Sequence, residues 1–295
     1  MMQPGWTDTT RQVNGLTLHL VEAGPPDGPL LILLHGFPEF WWAWRHQITP
    51  LADRGYHVVV PDMRGYNKSE RPQEVSAYDL DNLATDVVAL ADTYGAGRLR
   101  LVGHGWGGVV AWWVAARHGQ RLERVVIMGA PHPDTRSRQP FKQPAQALRS
   151  TYVAFFHVPW IPEATLRAFD FALLRGALQG SARAGTFEPG ALDRYAEAWA
   201  NPGSLTGMLN YYRALRRRTA GGMPARVSPP TLLMWGEKDS FMQTDVADAG
   251  LGLCDDGRSI IVKGATHWPH LEESERVNAE IINYLAVKKR VKGRS

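Results

Sequence analysis

The chain has 295 residues, 44% of them hydrophobic, which is enough for a full core, either as one large α/β domain or as a core with an inserted cap. Its formal net charge is +4, but Lys288, Lys289, Arg290, Lys292 and Arg294 all fall in the last eight residues, so the body sums to about −1. That excludes a nucleic-acid surface and leaves a solvated basic tail at 288–295. A single cysteine, Cys254, excludes an intramolecular disulfide and a multi-cysteine metal site, which points to a reducing compartment. It lies in a polar stretch with no strand-turn-helix around it, a poor setting for a nucleophile. The chain opens without an apolar signal region and has no apolar run of membrane-spanning length, so the expected setting is cytoplasmic, away from membranes.

In chain order, strand-like apolar runs occur at 16–21, 30–34, 58–60, 99–102, 125–128, 231–235 and 260–262. Between them, 42–54, 78–94, 106–117 and 274–287 carry apolar residues at three- and four-residue spacing and are expected to be helical, with Ser274, Glu275 and Arg276 opening the last. This alternation predicts an α/β fold with a mainly parallel central sheet and helices on both faces. It breaks between 131 and 227, where 141–149, 164–178, 192–199 and 206–217 read as helical and no clear strand occurs. Prolines 131, 133, 229 and 230 bound the stretch. The expected organisation is a core of 1–130 and 228–295 with a helical cap, 131–227, inserted between two late strands and laid over the carboxyl ends of the sheet, where open α/β sheets bind ligands.

The chemistry-bearing residues fall at strand ends. The run 99–102 leads through Gly103-His104-Gly105 into Trp106-Gly107-Gly108, a turn of the Gly-x-nucleophile-x-Gly kind with no side chain at its centre. Such a turn is strained, and glycine occupies it without steric cost. After 30–34 comes His35-Gly36-Phe37-Pro38, whose Phe37 N–H, with that of Trp106, would form a two-donor oxyanion hole. Two later runs lead into Gly236-Glu237-Lys238-Asp239 and Gly264-Ala265-Thr266-His267-Trp268. The order 105, 239, 267 is that of nucleophile, acid and base, with Asp239 orienting His267 as the general base.

Taken together, His35-Gly36-Phe37-Pro38-Glu39 with Trp44-Arg45, Asp62-Met63-Arg64-Gly65-Tyr66, Gly103-His104-Gly105-Trp106-Gly107-Gly108, Trp235-Gly236-Glu237-Lys238-Asp239 and His267-Trp268 identify a resemblance. From about Gly15 to Leu285 the chain resembles the epoxide hydrolase branch of the α/β-hydrolase superfamily. The resemblance implies an α/β-hydrolase fold, a small apolar or aromatic epoxide as substrate and no cofactor or metal. It also implies two cap tyrosines that protonate the departing epoxide oxygen; Tyr152 and Tyr212 match their positions, with Tyr211 as the alternative register for the second. Trp106, Phe155 and Trp268 are the expected substrate contacts, and Trp160, Phe169 and Phe171 add to the aromatic character of the cap. The runner-up family, haloalkane or haloacid dehalogenase, shares the tryptophan after the nucleophile but offers a His-Trp pair in the cap; this cap has Phe155-Phe156-His157.

In the family the turn carries aspartate where this chain has Gly105. His104 is expected to pack under the sheet edge and not to replace it. Three accounts stand: an inactivated epoxide hydrolase variant, a natural enzyme in which His267 and Asp239 act as base and Tyr152 and Tyr212 as acids for direct opening or cyclisation, and a ligand-binding pseudoenzyme. The expected assembly is a monomer or homodimer.

Overall fold

The computed structural model describes residues 2–133, 151–215, 226–241 and 249–286, and for Thr151 and Tyr152 the backbone only. An eight-stranded sheet forms the centre: β1 (Trp6–Val13), β2 (Leu16–Ala23), β3 (Leu30–Leu34), β4 (His57–Pro61), β5 (Leu99–His104), β6 (Leu122–Met128), β7 (Thr231–Gly236) and β8 (Gly257–Val262). Their spatial order is β1-β2-β4-β3-β5-β6-β7-β8. β1 and β2 are antiparallel, as are β2 and β4, and every later pair is parallel. β3, β4, β5 and β7 are buried at every residue, as expected for parallel strands covered on both faces.

β1 was not expected. Its sequence, Trp6-Thr7-Asp8-Thr9-Thr10-Arg11-Gln12-Val13, carries almost no apolar signal because it is an edge strand that pairs with β2 alone and keeps all but one of its residues exposed or half-exposed. The helices follow the expected pattern with local differences. Residues 42–54 divide into a 3₁₀ turn (Trp41–Trp44) and α1 (Ile48–Ala52). Pro50 explains the break: in one continuous helix its ring would strike the carbonyl of residue 46, whereas in the first turn of α1 it is tolerated. A second 3₁₀ turn (Val75–Tyr78) leads through the extended Asp79 into α2 (Leu80–Asp92), and α3 (Trp106–Arg117) follows β5.

Between β6 and β7 the described residues hold four helices, α4 (Thr151–Phe156), α5 (Ile161–Ser181), α6 (Ala191–Ala200) and α7 (Ser204–Ala214), and no strand. α4 was not expected, and 141–149, read as helical, lies outside the described residues. α5 is interrupted at Ala168–Phe171, where three successive residues have positive φ. α5 packs on α6 and α7, α6 on α7, and α7 on α4 and on the Val75–Tyr78 turn, which ties this layer to the sheet. The chain closes with α8 (Pro269–Glu272) and α9 (Ser274–Leu285); Ser274 is the first helical residue, and Glu273 precedes it as the cap. No helix among the described residues is long and apolar enough to cross a membrane. Cys254 is buried and donates to the carbonyl of Gly250 at 3.7 Å; burial pushes its thiol pKa up, which fits an inert side chain.

The topology fixes where a ligand can enter. From β3 the chain turns toward β4 on one side, while β5 and the later strands build outward on the other, so the direction of winding reverses between β3 and β5. At such a reversal the connecting segments diverge and leave a crevice beyond the carboxyl ends of the strands. Leu34 of β3 pairs in register with Gly103 of β5, placing the turns at Gly36 and Gly105 side by side.

Close packing at this point depends on glycine. A Cβ on Gly107 would collide with the carbonyl of Leu34, which is backbone in a fully buried strand and cannot retreat. Gly107→Ala is expected to cost about 3 kcal/mol, the upper end for overpacking, and to lower the melting temperature by roughly 6–10 °C. Gly176, on the exposed side of α5 with nothing near its Cβ position, provides the contrast. There, alanine is expected to stabilise by about 0.4–1 kcal/mol. Thermal melts of the two variants check the pair of opposite signs.

Candidate active site

The turn after β5 has φ 52° and ψ −118° at Gly105, a conformation open to glycine and costly for other residues. Backbone hydrogen bonds hold it on both sides: the Gly105 N–H donates to the carbonyl of Met128 at 3.0 Å, and that of Gly107 to His35 at 3.0 Å. A Cβ built on Gly105 would meet only the Cα of Gly36 at 3.4 Å and the Nε2 of His267 at 3.8 Å. The backbone is strained there, yet a side chain has room, and it would point past the imidazole of His267.

Asp239 and His267 meet as the sequence predicts. The loops after β7 and β8 bring Nδ1 of His267 to 2.8 Å from Oδ2 of Asp239. The second carboxylate oxygen accepts from the Phe241 N–H at 2.8 Å, and the Asp239 side chain is 1% exposed. Burial alone would lower the His267 pKa, but the facing carboxylate outweighs it and the net shift is upward. Nδ1 is occupied by Asp239, so Nε2 is the nitrogen that faces Gly105 and the cavity.

Behind these residues lies a buried group the sequence reading missed. Oε2 of Glu39 sits 2.8 Å from Nδ1 of His104, and its Oε1 lies 3.2 Å from Nε2 of His270, with all three side chains at most 1% exposed. Burial disfavours ionised Glu39, but the two histidines overcome it and hold the carboxyl well below its usual range. His270 is shifted down to about 4, chiefly by burial and then by the charge of His104, so it is neutral near pH 7. His104 does pack under the sheet edge as expected, and it also donates from Nε2 to the main-chain carbonyl of His267 at 2.9 Å. Glu39 lies in the His35–Glu39 motif, but its partners are 65 and 231 residues away, and no local pattern announces that contact. These three donors are the one grouping among the described residues with metal-ligand chemistry. Their direct contact argues for hydrogen bonding instead: ligands at about 2.1 Å around a tetrahedral ion stand roughly 3.4 Å apart.

A cavity of about 380 Å³ opens above Gly105. Phe37 and Trp106 line it from the core, Phe155 and Tyr212 from the helices between β6 and β7, and His267 and Trp268 from the late loop. Tyr212 is buried against Phe37 and Trp106, with ring centroids 5.2 Å from each. Its neighbour Tyr211 points away, donating its hydroxyl to the Arg64 carbonyl at 2.9 Å, so of the two it is Tyr212 that lines the cavity. The Tyr152 side chain lies outside what the structure describes. One expectation needs correction: Trp160 and Phe169 are 84% and 92% exposed, and Phe171 packs on Trp199, so none of the three lines the cavity. The positive φ values around 169–171 turn that stretch of α5 outward, and helical periodicity read through them misassigns its faces.

A model of the α/β hydrolase fold family matches residues 29–274, and the chain belongs to that family. Within it the chain is epoxide hydrolase-like. It is 35% identical to epoxide hydrolase A of Mycobacterium tuberculosis (strain ATCC 25618 / H37Rv) over 95% of this chain and 97% of that protein. It is 42% identical to the AB hydrolase superfamily protein YfhM of Bacillus subtilis (strain 168), over 92% and 95% of the two chains. Among solved structures, an epoxide hydrolase found in metagenomes from hot environments superposes with a TM-score of 0.84 at 34% identity, covering 96% of this chain and 99% of that one.

The raised pKa of His267 has a thermodynamic counterpart. A histidine whose folded pKa exceeds its unfolded value contributes stability that is fully present below about pH 6.5 and is lost as pH rises through the folded value. Asp239→Asn removes the carboxylate that raises it. The stability gap between the parent and Asp239→Asn is therefore expected to narrow as pH rises from about 6 to about 9, and denaturant titrations across that window check it. A gap that widens with pH would contradict the charge pairing.

Proposed function

We propose that the chain is an epoxide hydrolase-type enzyme, built to open an apolar or aromatic epoxide to a diol, in which Gly105 stands where a carboxylate nucleophile belongs. The observation that carries this reading is the position of His267: its Nε2 faces the place of a residue-105 side chain at 3.8 Å, within a largely apolar cavity that Tyr212 also lines. In this reading 131–227 is the cap and the remainder the core.

With aspartate at 105, a carboxylate oxygen attacks an epoxide carbon and the ring C–O bond breaks. Tyr212, together with Tyr152, supplies the proton the departing oxygen needs, a task suited to a weak acid. Water activated by His267 then attacks the ester carbonyl while Asp239 stabilises the imidazolium. The N–H groups of Phe37 and Trp106 hold the oxyanion, and Trp106, Phe155 and Trp268 seat the apolar part of the substrate.

The chain as it stands can make no ester from its own side chain at 105, which makes it an inactivated form on this reading. The intact Asp239–His267 contact favours a second reading, in which His267 drives water directly onto the epoxide. Incubation of the chain and of Gly105→Asp with styrene oxide separates the two. The first reading expects diol from Gly105→Asp only, and a protein mass increase equal to the epoxide when His267→Gln is added to that variant. Diol from the parent in a His267-dependent way, with no ester in the aspartate variant, would establish the second. Binding without turnover by either protein would leave a pseudoenzyme. Gly105→Asp is also expected to lower stability by about 1–3 kcal/mol, because aspartate must adopt the positive φ of the turn.

The two neighbouring tyrosines give a sharper test. In the Gly105→Asp background, Tyr212→Phe is expected to lower kcat on the order of 10²-fold, the low end for loss of a general acid. Tyr211→Phe should leave kcat unchanged and cost about 1–3 kcal/mol of stability, because the Arg64 carbonyl loses a buried donor.

A further inference from the structure

We propose that the hollow at Gly105 is a carboxylate subsite, and that the chain as it stands takes a carboxylate, either free or carried on its substrate, as the nucleophile that opens an epoxide. The inference rests on the epoxide reading above and adds a second reactant to it.

Three observations carry it. The first is space: the Cβ position of Gly105 has nothing nearer than 3.4 Å, and Gly105 itself lines the cavity, so the hollow and the cavity are continuous. The second is charge. No Asp, Glu, Lys or Arg lines the cavity among the described residues, and His267 presents Nε2 to the hollow while Asp239 favours its protonated form. The third is the main chain. Trp106 opens the 12-residue helix α3, and neither its N–H nor that of Phe37 makes a backbone hydrogen bond among the described residues. A helix start whose first N–H makes no backbone hydrogen bond among the described residues, beside a histidine whose protonated form is favoured, suits an anion.

The chemistry balances without another reagent. A carboxylate oxygen forms a bond to an epoxide carbon, the ring C–O bond breaks, and its electron pair on oxygen takes a proton from Tyr212. A free carboxylate gives a hydroxyalkyl ester. The tyrosinate regains its proton from the His267 imidazolium through solvent, and the now neutral His267 deprotonates the water that cleaves the acyl bond, releasing diol, the carboxylate and the imidazolium. A carboxylate tethered to the epoxide gives a lactone bearing a hydroxyl group. A side-chain carboxyl carbon lies about 2.5 Å from its Cα, whereas an unbonded carbon stays roughly 3.5 Å away, so a free carboxylate reacts from about 1 Å farther out. Formate, with no carbon substituent, comes nearest; pivalate is too bulky to enter.

The test uses styrene oxide with formate, acetate or pivalate, and chloride as the ionic-strength control. Formate is expected to raise diol formation by the parent saturably, by about tenfold, to a rate that stays at least ~10²-fold below that of Gly105→Asp because the tether is lost. Pivalate and chloride should do nothing, and Gly105→Asp, whose side chain fills the hollow, should not respond to formate. Formate labelled with ¹⁸O decides the route: attack by carboxylate leaves the label in the diol. For the tethered source, 4,5-epoxypentanoate should give lactone without added formate, while its methyl ester should not. Either arm alone supports the subsite and names its source. The subsite is overturned if formate accelerates diol formation without transferring label, or if neither arm responds while Gly105→Asp hydrolyses styrene oxide. An inert but folded Gly105→Asp would instead overturn the epoxide reading beneath it.

Discussion

The carbonyl of Leu34 occupies the space a Cβ at residue 107 would need, and the Gly107 N–H donates to the carbonyl of His35 next to it. Through these contacts the first turn of α3 lies directly against the end of β3. Were it to stand off by the width of a methyl group, Trp106 would leave the cavity wall and Gly105 would move away from Gly36. The positive φ at Gly105 is the geometric consequence, since the chain must reverse from strand to helix within one residue while its neighbours stay in contact.

The buried polar group behind the turn fastens the same region from the other side. Glu39 joins the segment after β3 to His104 at the end of β5 and to His270 in α8. Gly36, three residues before it, donates an N–H to the same carboxylate at 3.2 Å. Buried charge of this kind adds little net stability against an apolar core of equal volume, but removing one partner is costly, so it fixes an arrangement more than it strengthens one. Here the fixed arrangement is the relative placement of three loops that come from distant parts of the chain.

How much of this could be read from the amino-acid order follows from the range of each interaction. The central strands announce themselves because they are mostly apolar; Gly105 and the loop bearing Asp239 follow such strands, and His267 follows the short apolar end, 260–262, of the otherwise exposed edge strand β8. β1 was invisible because an edge strand facing water needs no apolar pattern. The break before α1 hinged on one proline, and the outward turn of Phe169 on backbone angles that periodicity cannot sense. Glu39 and His270 were missed for a different reason: their meaning lies in a contact across 231 residues. Which of Tyr211 and Tyr212 reaches the cavity likewise depends on a tertiary partner, the Arg64 carbonyl that holds the Tyr211 hydroxyl, and not on anything in the helix that carries them.

His267 is gripped at two points by different parts of the sheet: its ring by Asp239 after β7, and its main-chain carbonyl by His104 at the end of β5. Turning the ring breaks the first bond, and shifting the loop breaks the second. The orientational entropy of this imidazole is therefore surrendered during folding, before any ligand arrives. A proton acceptor aimed in advance needs little reorganisation when charge moves, and that readiness does not depend on which residue occupies position 105.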